Sequence, residues 1–107
     1  MINDVILKDL SNEKKAFLYR VEVGDSLKTI ADRFHTTQRV LVVVNGLESC
    51  PKVGEYLIVE KVDGVKYVTS PLDTLEKIAN NNHEKIQEIK IKNKIDTIYV
   101  GQKIYVW

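Results

Sequence analysis

Cysteine occurs once in the 107 residues, at Cys50, so no disulfide can form within the chain. Charge of one sign is scarce as well: 16 basic and 15 acidic side chains leave a formal net charge of +1. Such a balance exerts no long-range pull on polyanions, so neither nucleic acid nor a membrane surface is expected as a partner. No run approaches the roughly 18 apolar residues of a membrane-spanning helix. The opening MINDVILKDL lacks a basic start and a sustained apolar stretch, which argues against a secretory signal. Catalytic groupings are missing too. We find no paired carboxylates, no Ser-His-Asp order and no phosphate loop, and expect no enzyme.

What is present is a phrase written twice. Residues 24–31 read GDSLKTIA, and LDTLEKIA follows at 72–79, forty-eight positions on. At that shift Tyr19 meets Tyr67, Asp25 meets Asp73, Ser26 meets Thr74, His35 meets His83 and Asn45 meets Asn93. After one deletion Val53-Gly54 meets Val100-Gly101, and Leu57 and Val59 meet Ile104 and Val106. A repeat of this kind is one supersecondary unit used twice.

The unit reads as strand, helix, helix, strand. YRVEV and KYVTS are β-branched and aromatic runs that predict opening strands, and EYLIVE and QKIYVW predict closing ones. Ser26 and Thr74 are positioned to cap a helix. Leu27, Ile30, Ala31 and Phe34 then follow the spacing of one buried helix face, which Asn82 shortens in the second copy. Thr37 can cap a further helix with Val40, Leu41 and Val44 inside and Asn45-Gly46 at its end. Local propensity opposes that helix, because VLVVV is β-branched and EIKIKN alternates. The repeat nevertheless requires a capped element there. The fold class expected is α+β: two small βααβ modules, each a two-stranded antiparallel sheet with both helices on one face. The division expected is a lead segment at 1–18, module 1 at 19–60, a linker at 61–65 and module 2 at 66–107. Val5, Ile6, Leu7 and Leu10 of the lead are apolar enough to dock, whereas SNEKK suits a solvated lead-in.

YRVEVGDSLKTIA, LVVVNGL and KVGEYLIV resemble the three blocks of the LysM module, a βααβ carbohydrate-binding domain. YVTSPLDTLEKIA, IKIKNKI and YVGQKIYV resemble them a second time, departing at Leu72, where the family usually has Gly. The resemblance covers residues 19–107 and implies a tandem LysM protein. It further implies non-catalytic binding of N-acetylglucosamine polymers, with peptidoglycan or chitin-like oligosaccharide as partner and no cofactor. It places the sugar between two loops. In module 1 these are Gly24, Asp25, Ser26 and Leu27, opposite Leu47, Glu48, Ser49, Cys50, Pro51, Lys52 and Val53. In module 2 they are Leu72, Asp73, Thr74 and Leu75, opposite Ile95, Asp96, Thr97, Ile98, Tyr99 and Val100.

The chemistry of such loops suits an acetamido group. Main-chain N–H and C=O groups can pair with the amide, and an apolar wall of Leu27 and Val53 can hold the methyl. Gly24 lets the backbone approach closely, and Leu72 adds bulk, so module 2 is expected to bind more weakly, to prefer a different ligand or not to bind sugar. Tyr99 could stack on a sugar ring in partial compensation.

Structural readings compete with several of these. Asp25 and Asp73 suit a helix start, Tyr19 and Tyr67 a strand at the core edge, and Asn45 and Asn93 the satisfaction of loop backbone. His35 and His83 stand at helix ends, one per copy, too few for a metal site. Lys85, Lys90, Lys92 and Lys94 alternate with Glu84 and Glu88 and read as a solvated face. A lesser reading lets those lysines meet peptide carboxylates or phosphates of a cell wall. If the chain is leaderless, a spore envelope, a cell wall reached by a non-classical route, or the cytoplasm are the expected locations. The alternative function is a protein-binding adaptor in a spore coat or phage tail, with a coat or envelope protein as partner and a decayed sugar groove.

Overall fold

Hydroxyl side chains start three of the four described helices, and the rest of each unit is arranged around them. In the computed structural model, which describes residues 16–107, helix α1 spans Leu27–Arg33 and α2 spans Gln38–Asn45. Ser26 Oγ accepts the Thr29 N–H at 3.1 Å, and Thr29 Oγ1 returns the favour to the Ser26 N–H at 2.9 Å. This reciprocal box satisfies two amides that a helix start leaves open. Thr37 Oγ1 accepts the Val40 N–H at 3.0 Å, and Gly46 ends α2 in the left-handed region at φ +60°. VLVVV is therefore helical, its β-branched preference of a few tenths of a kcal/mol per residue overridden by caps and by burial of Val40 and Leu41.

Strand β1, Ala16–Arg20, pairs antiparallel with β2, Tyr56–Glu60, in the register Ala16↔Glu60 to Arg20↔Tyr56. Val21, Ile30, Ala31, Leu41, Leu57 and Val59 fill the space between sheet and helices, with Phe17, Tyr19 and Phe34 at its edge. Each buried Val, Ile or Leu side chain among these contributes about 1.5–3 kcal/mol. The second unit repeats the plan with β3 at Val65–Val68, α3 at Leu75–Asn81, α4 at Ile86–Asn93 and β4 at Lys103–Val106. β3 and β4 are antiparallel, from Val65↔Val106 to Val68↔Lys103, over a core of Ile78, Ala79, Ile89, Ile95, Ile104 and Val106. The chain divides into its two units at Lys61–Val62. The architecture is thus α+β, two βααβ units.

Three expectations shift. β1 starts at Ala16 and ends at Arg20, ahead of the expected YRVEV, because the chain turns at Glu22–Asp25. Val65 opens β3 although it was placed in the linker. Asn45 and Asn93 satisfy strand backbone, where loop backbone was expected. Asn45 Nδ2 donates to Leu41 O and Ile58 O, both at 2.9 Å, and its Oδ1 accepts the Ile58 N–H at 2.7 Å. Asn93 does the same with Ile89 O, Tyr105 O and the Tyr105 N–H. Each amide ties the end of a helix to the outer edge of the closing strand. Val5, Ile6, Leu7, Leu10 and SNEKK lie outside the described residues.

The copies differ in one buried cluster. Where the first has Thr36, whose buried hydroxyl is unpaired, the second has Glu84. Glu84 Oε1 binds Lys92 Nζ at 3.1 Å, its Oε2 accepts the Trp107 N–H at 2.9 Å, and Lys92 lies 4.3 Å from the Trp107 ring centre. His35, His83 and Lys94 occupy the left-handed region, at φ 58°, 55° and 55°.

Asn93→Ala strands buried partners and is expected to cost about 2–4 kcal/mol, whereas the half-buried Asn45→Ala costs about 1–2 kcal/mol. Lys94→Gly removes backbone strain and raises stability by about 1 kcal/mol. Denaturant unfolding followed by Trp107 fluorescence and by amide exchange checks all three.

Candidate functional site

In each unit the loop after the opening strand and the loop before the closing strand are sewn together by main-chain bonds. The Val21 N–H donates to Glu55 O at 2.9 Å, and the Gly54 N–H donates to Val21 O at 2.8 Å. The Thr69 N–H to Gln102 O and the Gly101 N–H to Thr69 O, both 2.9 Å, repeat this in the second copy. Thr69 adds a cross-link that Val21 cannot make: its hydroxyl donates to Tyr99 O and accepts the Gln102 N–H at 3.0 Å. A polar side chain closes each second loop, with Glu55 accepting from the Lys52 N–H and Gln102 from the Tyr99 N–H.

The first loop is held by an aspartate and a tyrosine. Tyr19 Oη donates to Asp25 Oδ2 at 2.6 Å, the Glu22 N–H donates to the same oxygen at 2.8 Å, and Arg33 donates to Asp25 Oδ1 at 3.2 Å. Arg33 also donates to Tyr19 Oη at 2.9 Å. In the second copy Tyr67 Oη, the Ser70 N–H and Ser70 Oγ all bind Asp73 Oδ2. The hydrogen bond from Tyr19 first, and then that from the Glu22 amide, hold the Asp25 pKa below the ordinary carboxylate value. Tyr67 and then Ser70 act likewise on Asp73. The same bonds raise Tyr19 and Tyr67 above the ordinary phenol value. Both aspartates therefore anchor a turn to a strand and neither caps a helix; Asp25 uses both carboxylate oxygens, and the bonds of Asp73 converge on Oδ2.

The predicted site residues fall into two groups. Leu27 and Leu47 in the first copy, and Leu75, Ile95 and Ile98 in the second, lie against the cores. Ile95 is 7% exposed, so its side chain has no free face. Ser26 and Thr74 spend their hydroxyls as helix caps, at 3.1 Å each. Gly24, Glu48, Ser49, Cys50, Lys52 and Val53 are exposed, with Pro51 half-buried; so are Leu72, Asp96, Thr97, Tyr99 and Val100. The apolar wall expected from Leu27 and Val53 reduces to Val53. In the second copy Leu72, Tyr99 and Val100 are 80%, 68% and 61% exposed and form a more apolar rim.

The turns carry the main difference. Asp25 N–H to Glu22 O and Asp73 N–H to Ser70 O, both 3.1 Å, close turns over Val23-Gly24 and Pro71-Leu72. Gly24 stands at φ +89°, whereas Leu72 keeps a negative φ. A turn with positive φ at its third residue presents its central peptide the opposite way from one with negative φ there. Pro71 fits the second position of either kind; the negative φ at the third position is what accommodates the side chain of Leu72. Arg33, Glu55 and Gln102 were missed from the sequence. Glu55 and Gln102 could have been found as equivalent acceptors just beyond equivalent Gly residues.

Among the described residues no three His, Cys, Asp or Glu side chains converge to hold a metal ion. No helix among them is long and apolar enough to cross a membrane.

The LysM domain family matches this chain twice, over residues 19–59 and 67–107. The chain belongs to that family, as a tandem LysM protein; LysM domains generally bind N-acetylglucosamine glycans. Among solved structures it is similar to the spore cortex-lytic enzyme SleL of Bacillus cereus, at 28% identity and a TM-score of 0.41. It is also similar to SleL of Bacillus megaterium QM B1551, at 22% identity and 0.44, and to the ectodomain of a receptor-like kinase, at 21% and 0.36. These matches cover 86%, 87% and 85% of this chain, but 22%, 23% and 55% of the other. The chain thus spans under a quarter of either SleL enzyme.

Stability should follow the two tyrosine–aspartate bonds. The depressed aspartates contribute fully above the unfolded value of roughly 3.9, and that contribution is lost as pH falls through their folded values. The raised tyrosines contribute fully below roughly pH 10 and cease to do so as pH climbs through their folded values. Melting curves from pH 2 to 11 should show a plateau falling at both ends, and Tyr19→Phe with Tyr67→Phe should flatten both flanks.

Proposed function

We propose that this chain binds N-acetylglucosamine-containing glycan, peptidoglycan above all, without catalysing a reaction on it. We further propose that the two modules, their strands running from Ala16 to Glu60 and from Val65 to Val106, each carry one groove. The observation that carries this is the pair of loops sewn together by main-chain bonds in each unit, with the anchoring polar side chains already satisfied. Such loops have their shape set before a sugar arrives, so little ordering cost opposes binding. In module 1 the main chain at Gly24 is uncovered, and an added Cβ would meet nothing within 4 Å. An acetamido amide can reach it, with Val53 beside the methyl.

Module 2 should bind the same sugar more weakly. Its turn peptide faces the other way, its rim is bulkier, and Lys77 Nζ already donates to Leu72 O at 3.3 Å. Tyr99 offers a ring on which a pyranose could stack. If both modules engage one polymer, avidity exceeds either site alone.

A second reading is favoured by the exposed trio Leu72, Tyr99 and Val100: an apolar rim suited to a protein partner in a coat or envelope. Titrating isotopically labelled chain with N-acetylglucosamine oligomers separates the two. Amide shifts at Gly24–Leu27 and Leu47–Val53, stronger than at Leu72–Leu75 and 95–99, support glycan binding. Silence at both loop pairs refutes it and leaves the adaptor.

Gly24→Leu should weaken module 1 at least tenfold, because a side chain at φ +89° costs about 1–3 kcal/mol or forces the turn over. The chain should leave the turbidity of a cell-wall suspension unchanged; clearing would indicate a hydrolase.

A further inference from the structure

The outer face of α4 carries a shallow concavity of about 440 Å³ that adjoins the second loop of unit 2 and shares its first residues. Gln87, Lys90, Ile91 and Lys94 line it from the helix and its end, and Ile95 and Asp96 line it from the loop. The spacing 87, 90, 91, 94 is one helical stripe. Lys92 of the same helix is committed to Glu84 and the Trp107 ring. Among the described residues no ion pair engages Lys90, although the residue is half-buried. The first copy has no equivalent, because Val42 and Gly46 stand where Lys90 and Lys94 do.

We propose that this concavity is a subsite of module 2 for a carboxylate carried on the bound glycan. It rests on the glycan reading above, since Asp96 belongs to both the loop and the concavity. A sugar chain lying along residues 95–99 brings its substituents past Asp96 to Lys90. The Lys90 ammonium and the Gln87 amide donate to the carboxylate, and exposed Ile91 takes the apolar part of the substituent. Asp96 on the same rim disfavours a dense polyanion, so an isolated carboxylate fits better than a phosphate polymer. Module 1 would then read the neutral sugar and module 2 its acidic decoration.

The test titrates labelled full-length chain, at low salt, with three probes. They are a neutral N-acetylglucosamine oligomer, a peptidoglycan fragment of equal length with peptide stems, and a glycerol phosphate oligomer. The stem-bearing fragment should shift the Gln87, Lys90 and Asp96 amides and bind about three- to tenfold tighter than the neutral oligomer. Lys90→Gln should abolish that advantage, Lys90→Arg should keep it, and neither should change binding of the neutral probe. Amides at Gln87–Lys90 unmoved by the fragment, an advantage that survives Lys90→Gln, or equal shifts with glycerol phosphate would each overturn the subsite. Failure of the neutral oligomer to move either loop pair defeats the groove reading instead; shifts at Gln87 and Lys90 with the fragment would then mark a carboxylate site independent of the groove and overturn its role as a subsite.

Discussion

A two-stranded sheet has two open edges, and in this chain one amide side chain per unit closes the edge that matters. Asn45 and Asn93 present a donor and an acceptor to the outer edge of the closing strand, as a third strand would. Their second N–H stays on the helix that carries them. The end of that helix is thereby held to the strand at fixed span, and the loop between them must bridge that span. The position of the second loop, one wall of the proposed groove, follows from this side chain, on a core too small to impose it by burial alone.

The opposite wall depends on a second tether. The tyrosine–aspartate bond ties the first turn to the opening strand, and the main-chain bonds at Val21 and Thr69 bring the two loops together. Asp25, Asp73, Ser26 and Thr74, the polar side chains of the first loops, are engaged in these tethers and caps. What remains for a ligand is backbone, a few exposed apolar side chains and the loop tips. Neutral recognition of an amide-bearing sugar suits such a surface, and the net charge of +1 agrees with it.

The fold was legible because it is written twice. Equivalent Asn, Asp and Tyr residues marked structural positions, and the repeat overruled the β-branched run VLVVV where propensity alone would have made a strand. The same comparison hid what is not repeated. Ala16–Leu18 have no likeness to Gly64–Lys66, so the true start of β1 was missed. Arg33 faces Asn81 in the other copy, so its bonds to Tyr19 and Asp25 left no signal. The candidate site was legible in its loops and less so in its side chains. Spacing places Leu27, Leu47 and Ile95 beside a groove but does not say that their side chains turn inward to the core. Pro71-Leu72 shows how a departure at a glycine is absorbed, through a change of turn that reorients the peptide.

A crystal structure of the full chain with an N-acetylglucosamine oligomer tests the central claim most directly. It should show the acetamido group between residues 21–27 and 47–55, bonded to main chain, with Asn45 still bridging Leu41 and Ile58. Sugar held elsewhere on the chain, or loops that part from one another to admit it, would contradict the claim that these tethers build the groove in advance.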